Sequence, residues 1–359
     1  MFAAPAPAPA PASHSALLRA RASHAAPPPD IDSADRHDPL CAPEYAAAIH
    51  AYLRRAEPRF APDCGYMARQ AEVNEKMRAI LVDWLVEVHL KFKLMPETLF
   101  LTVNLIDRYL ARAPVTRKKL QLVGVTAMLV ASKYEEIWAP EVRDFVYISD
   151  KAYGRDEILG MEKAMLNALA FDLTVPTPFP FLARYRKAAA AGGAAALLAQ
   201  AQQAAAARAE GAGDKAAAKA ADGRVAHLAQ YYSELALVDY GMLQVAPSLL
   251  AAGALHLALV TAGMPAAPAA AADDAGENAA PSPPPAAAGS PPCRELAWPP
   301  AAAAHSGYSL PEVQRVARAL AKLARHAPDA SLKAVHKKHG STRYGEVAKA
   351  PVPEEALLR

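Results

Sequence analysis

The chain has 359 residues, with 39 Lys and Arg against 36 Asp and Glu, so its net charge of +3 is too small for nucleic-acid or anionic-membrane binding by bulk electrostatics. Cys41, Cys64 and Cys293 are odd in number and far apart, which excludes a disulfide framework or a metal quartet and fits a reducing compartment. The longest apolar run, Pro247 to Ala262, is shorter than the roughly 20 residues of a membrane span, and the Ala/Pro alternation of Met1 to Ala12 lacks the basic end of a secretory signal.

Residues 1–44 are rich in Ala, Pro, Ser and Asp, and are expected to form a disordered leader. A short amphipathic helix is predicted over Tyr45 to Ala56, ended by Pro58. The next helix, containing Met77 to Leu85, carries more large apolar side chains than one face holds. At 100° per residue Met77, Ile80, Leu81, Trp84, Leu85 and Val88 form one broad stripe, with Val82 and Val86 opposite. Such a helix is central. Arg78 and Asp83 lie inside it and need partners, because an unpaired buried charge is costly.

Pro96 opens a helix carrying Leu99, Val103, Ile106 and Leu110. Thr116 is a candidate cap for the next, whose Gly124, Ala127 and Ala131 allow a neighbour to approach closely. Pro140 begins a short helix with Phe145, and another runs from Asp156 to Leu169. Together with the preceding helix these predict a compact all-α domain over 45–174.

Pro176 and Pro178 read as a linker, and a helix from Phe179 to Ala188 opens a second domain spanning 175–359. Ala189 to Gly223 is Ala-rich, with almost no large apolar face, and reads as an insertion; 264–290 reads as a second, Pro/Ala-rich one. Between and after them, helices are predicted over Val225 to Tyr240, Pro247 to Ala262 and Pro311 to Ala324. With the insertions removed, the second domain is similar in helix count to the first, so the fold class is all-α with two helical domains in tandem.

No Gly-rich phosphate loop, metal-spaced His/Cys group or nucleophile elbow is present, so neither an enzyme nor a cofactor is expected. Glu135 and Glu136 diverge by 100° on a helix and do not converge as an acid–base pair. The eleven histidines read as surface or locally satisfied side chains, and the basic run Lys333 to Arg343 as a solvated face.

Three long words occur in order: MRAILVDWLVEVHLKFKL from Met77, MPETLFLTVNLIDRYL from Met95, and LVASKYEEIWAPEVRDFVYISDKAYGRDEILGMEKAMLNALAFDLTVPTPFPFLARYRKA from Leu129. This run resembles the cyclin box of mitotic, B-type cyclins, most nearly those of plants and green algae. The similarity extends upstream through Asp30 to Asp35 and Glu44-Tyr45, and downstream over Tyr231 to Leu259 and Trp298 to Leu358. It implies two tandem five-helix cyclin-box domains, in a protein of nucleus and cytoplasm that binds a cyclin-dependent Ser/Thr kinase as a heterodimer and activates it at the G2/M transition. By the same resemblance Lys133 and Glu162 are the kinase-contact pair, Arg78 and Asp107 a buried pair that orders the box, and Leu122 a position that holds the domain together. Met77, Ile80, Leu81 and Trp84, with Glu87 and Gln121, match a groove that docks Arg-x-Leu segments of substrates or inhibitors. No nucleic acid, membrane, metal or cofactor is implied.

B-type cyclins usually carry an Arg-x-x-Leu destruction box in the leader, and the first 60 residues here hold none. Arg78 to Leu81 and Arg117 to Leu120 fit the pattern but fall in predicted helices, where a degradation receptor is not expected to reach them. A tandem helical module of the transcription factor IIB type needs a zinc ribbon and a basic surface, which the cysteine spacing and charge do not supply. An A-type cyclin is the nearer alternative; Met95 to Leu99 and Phe181 to Ala188 favour the B type.

Overall fold

The computed structural model describes residues 28–192, 214–263 and 298–353, with side chains from 222 onward in the second stretch. Within them lie twelve α-helices and no strand. No helix among the described residues is long and apolar enough to cross a membrane.

Residues 28–42 depart from the expected disordered leader. Asp30 Oδ1 accepts the N–H groups of Asp32 and Ser33 at 2.9 and 3.0 Å, shaping a short 3-10 turn. Ile31 is buried with Ala188 and Ala301, and Asp32 accepts from Arg184 and Lys187 at 3.0 and 2.9 Å. A few residues with distant partners override a composition dominated by Ala and Pro. Helix α1 (Pro43–Phe60) follows and runs past Pro58. The proline lies close to the helix end, so it removes one hydrogen bond only. The final turn is held by the Ala61 N–H to Glu57 carbonyl bond at 3.0 Å and by burial of Glu57 and Phe60.

The first five-helix repeat comprises α2 (Glu75–Phe92), α3 (Pro96–Leu110), α4 (Leu120–Glu135), α5 (Val142–Ile148) and α6 (Arg155–Ala168). Asn74 caps α2 by accepting the Met77 N–H at 3.0 Å. Thr116 instead heads a 3-10 turn that runs into α4, and its hydroxyl caps nothing there. Glu141, rather than Pro140, starts α5, with Asp144 accepting the Glu141 N–H at 2.8 Å. Helix α4 is the hub of the repeat, packed on all four others. A Cβ on Gly124 would stand 2.7 Å from Leu81 Cδ1, so glycine there is what lets α2 and α4 meet.

The second repeat comprises α7 (Pro178–Ala191), α8 (Asp214–Val238), α9 (Pro247–Ala262), α10 (Pro300–Ser306) and α11 (Leu310–His326). Its third helix, α9, is again the hub, packed on α7, α8, α10 and α11. Gly253 plays the part of Gly124: a Cβ there would lie 2.6 Å from Val316 Cγ1. Two repeats with one architecture and no residue-level repeat share this device, a nearly all-apolar central helix with glycine at its tightest contact.

The expected insertion at 189–223 is shorter at both ends. Helix α7 runs to Ala191 with Ala188 and Ala189 buried, and α8 begins at Asp214. Alanine supplies helix propensity and a small buried face at once, so an Ala-rich stretch is not by itself surplus chain. Residues 193–213 and the second insertion, 264–290, lie outside the described residues. Helix α10, which Ala composition hides, and a closing helix α12 (Ala334–His339) were not predicted.

Candidate functional site

Helix α2 organises everything around it. Arg78 and Asp107, each 1% exposed, form a two-armed ion pair: Nε to Oδ1 at 2.6 Å and Nη2 to Oδ2 at 2.7 Å. The Tyr66 hydroxyl donates to Asp107 Oδ1 at 2.8 Å. The third arm of Arg78, Nη1, donates to the Leu237 carbonyl at 2.9 Å, in the last turn of α8, where carbonyls lack helical partners. One side chain thus joins α2, α3 and the second repeat. Burial pulls the guanidinium pKa down, but the adjacent Asp107 carboxylate more than offsets it and holds the pKa above the ordinary arginine value. Leu122, buried on α4, packs into the same core.

Asp83, the other charge in α2, accepts the Ala334 N–H at 2.9 Å at the start of α12. Burial raises its pKa against the lowering effect of that bond. Helix α12 also corrects in part the reading of Lys333 to Arg343 as a solvated face, which holds for Lys337 and Arg343. Lys338 and His339 within it are fully buried against Glu234 of α8. Lys338 Nζ donates to Glu234 Oε1 at 2.7 Å, Gln230 Nε2 donates to the same oxygen at 2.9 Å, and His339 Nε2 lies 3.1 Å from Oε2. Part of the basic run is thus interior, because one acidic residue a hundred positions earlier receives Lys338 and His339, while Lys337 and Arg343 stay exposed. The histidines show the same bias: His89 and His256 are also buried, and His89 Nε2 meets the Met95 carbonyl at 3.0 Å.

The last turn of α4 and the middle of α6 bring Lys133 and Glu162 together, Nζ to Oε1 at 2.6 Å, with 47% and 14% of the side chains exposed. The chain leaves α4 at Glu136, whose Oε1 caps α3 by accepting the Met95 N–H at 2.7 Å and the Thr98 hydroxyl. That anchor leaves the next two residues, Ile137 and Trp138, 88% and 91% exposed, with Tyr134 half-exposed on the preceding turn. Large apolar side chains held out beside a charge pair mark a surface made to be covered. Sequence reading passed over these residues, although a signal was available: they follow the helix end directly and have no place on its apolar stripe.

The groove residues separate into layers. Ile80 is 48% exposed, Met77, Trp84 and Gln121 are half-buried, and Glu87 is exposed. Leu81 corrects the expectation that all four apolar residues offer open surface. It is 6% exposed, pressed on Gly124, and so lies beneath the stripe as its floor. Arg78 and Leu81, and Leu120 in the second Arg-x-x-Leu match, are all buried. Among the described residues no group of three His, Cys, Asp or Glu side chains is arranged to hold a metal.

Comparison with known proteins agrees with this geometry. Residues 48–174 match the model of the cyclin N-terminal domain, and residues 176–353 that of the cyclin C-terminal domain. The chain is 39% identical to Cyclin-B1-3 of Oryza sativa subsp. japonica over 319 residues, 89% of this chain and 55% of that protein. It is 39% identical to Cyclin-B2-1 of Arabidopsis thaliana over 320 residues, 89% of this chain and 61% of that one. With G2/mitotic-specific cyclin-1 of Medicago sativa subsp. varia the identity is 47% over 232 residues, 65% of this chain and 47% of the relative. The chain thus spans about half to three-fifths of the length of these relatives. With two tandem helical repeats, a domain match on each and B-type proteins as its relatives, the chain belongs to the cyclin family and is of B type.

Proposed function

We propose that this cyclin is the regulatory subunit of a cyclin-dependent Ser/Thr kinase, activating it at the G2/M transition and recruiting substrates through the α2 groove. The observation that carries the reading is the Lys133–Glu162 pair beside the uncovered Ile137 and Trp138. A kinase is inactive when its αC helix is swung out and its Lys–Glu ion pair is broken. A rigid surface that binds only the inward position shifts the population to the active state by its difference in affinity for the two states. Exposed apolar area supplies affinity, and one cation and one carboxylate orient the helix through charge-assisted hydrogen bonds. The kinase contributes ATP, magnesium and the reacting groups; this chain contributes alignment.

The test is reconstitution with a cyclin-dependent kinase. Lys133→Glu combined with Glu162→Ala is expected to keep the helical circular dichroism of the parent. Binding to the kinase should weaken at least about thirtyfold, about 2 kcal/mol, with activation lost in proportion. Undiminished activation would remove this surface from the mechanism.

Docking is separable from activation. The exposed Ile80 and the half-buried Met77 and Trp84 share one apolar stripe of α2 that runs on to the exposed Glu87, which suits a leucine beside an arginine. Met77→Ala with Trp84→Ala is expected to slow phosphorylation of an Arg-x-Leu protein substrate about tenfold. A short peptide without the motif should be phosphorylated at the parental rate. Equal losses on both substrates would refute the docking role.

A further inference from the structure

A cavity of about 310 Å³ lies where α1, the α3 face, the interdomain linker, the end of α8 and the start of α9 converge. None of the surfaces described above uses it. Its wall is largely hydrocarbon, including Phe100 and Val103 from the first repeat and Leu237, Leu243 and Leu250 from the second. Pro62, Pro176, Pro178 and Pro247 are also in its lining, and each fixes its own φ, which restricts the backbone on that side of the hollow.

Its electrostatics narrow what fits. Arg78 and Asp107 reach the wall already paired with each other. Glu57 accepts the Ser248 N–H at 2.6 Å and hydroxyl at 2.8 Å, and pairs with Arg54 at 3.3 Å. The Cys64 thiol donates to the Leu243 carbonyl at 3.4 Å. These charges are matched internally, so a charged ligand would arrive desolvated and uncompensated. The half-buried Asn104 presents a neutral amide at the wall. Apolar cavities of this size at a domain interface, with a few polar groups, have the form of small-molecule sites and are too small for a folded partner or a helix.

We propose that this interdomain cavity is a binding site for an uncharged, mainly apolar small molecule with one polar group, which touches both cyclin domains when bound. Because such a ligand binds only where the two repeats are docked, it stabilises that docking by mass action.

Cys64 on the wall and the exposed Cys41 make the test internal to the full chain. Indole is the probe, and iodoacetamide alkylation of each cysteine is followed by peptide mass spectrometry. Indole at ten times its dissociation constant is expected to slow alkylation of Cys64 about tenfold and leave Cys41 unchanged. Indole-3-acetate, the same ring with a carboxylate, should give no protection. Leu243→Trp, which fills the cavity from its half-buried edge, should abolish saturable indole binding by calorimetry while retaining helical circular dichroism. The site is refuted by an unchanged Cys64 rate up to the solubility of indole or by equal protection from the acid. It is refuted equally by full indole binding in a folded Leu243→Trp protein. If that variant does not fold, the Cys64 rates in the parent decide alone.

Discussion

Asp107→Ala is expected to destabilise this cyclin by about 3–5 kcal/mol, measured as the loss of unfolding free energy in urea by circular dichroism. The magnitude follows from what is left behind. Arg78 is 1% exposed and would keep its charge with no carboxylate, and Tyr66 would lose its acceptor. Breaking one partner of a buried pair costs more than the pair itself contributes, because the survivor remains desolvated. Replacing both, as Arg78→Met with Asp107→Leu, should recover much of the loss. It should not recover all of it, since Arg78 also satisfies the Leu237 carbonyl at the end of α8. A loss below about 1 kcal/mol in Asp107→Ala would show that the pair does not order the box.

Glu234→Leu is expected to be comparably severe, again about 3–5 kcal/mol, because Lys338 and His339 would be left buried without their carboxylate. It also carries a pH signature. Burial pushes the Glu234 pKa up, but His339 and Lys338 together pull it below the ordinary glutamate value of 4.5. A carboxylate with a depressed folded-state pKa binds fewer protons folded than unfolded. Its stabilisation is therefore complete above pH 4.5 and is lost as pH falls below that value. His89 adds to the acid sensitivity. Burial, with help from Lys338, lowers its pKa from 6.5 to about 4, so between those values protons also favour the unfolded chain. Urea midpoints should fall from pH 6.5 downward in the parent, and below 4.5 the fall should be shallower in Glu234→Leu. Parallel curves below 4.5 would remove the Glu234 cluster as its cause.

How the sequence relates to the structure is clearest element by element. The helices α2, α3, α6 and α11 were legible because each has a proline or capping residue at its start and a period of apolar side chains along its length, and α4 and α9 because each is a long, nearly unbroken apolar run. Pro247 to Ala262 even coincides with α9 at both ends. Helices α10 and α12 were not. One is built on alanine and the other on lysine and histidine, and neither composition announces a buried face. The Arg78–Asp107 and Lys133–Glu162 pairs came from the resemblance of the surrounding words, since nothing in the spacing of 29 residues predicts a 2.6 Å contact.

By itself the sequence determined the local and the averaged: where most of the helices run, that two helical domains follow one another, and which family the words belong to. The tertiary structure alone decided which charges are buried, that Leu81 is floor and Ile80 is surface, that Ile137 and Trp138 stand uncovered, and that residues 28–42 are tied down. The reason is physical. Helical periodicity is a property of neighbours a turn apart, which the sequence displays. Burial of a charge is a property of its partner: Asp83 meets Ala334 only when the two domains close on each other, Glu234 meets Lys338 only when the second domain folds back on itself, and Asp32 meets Arg184 only when the segment before α1 docks on α7.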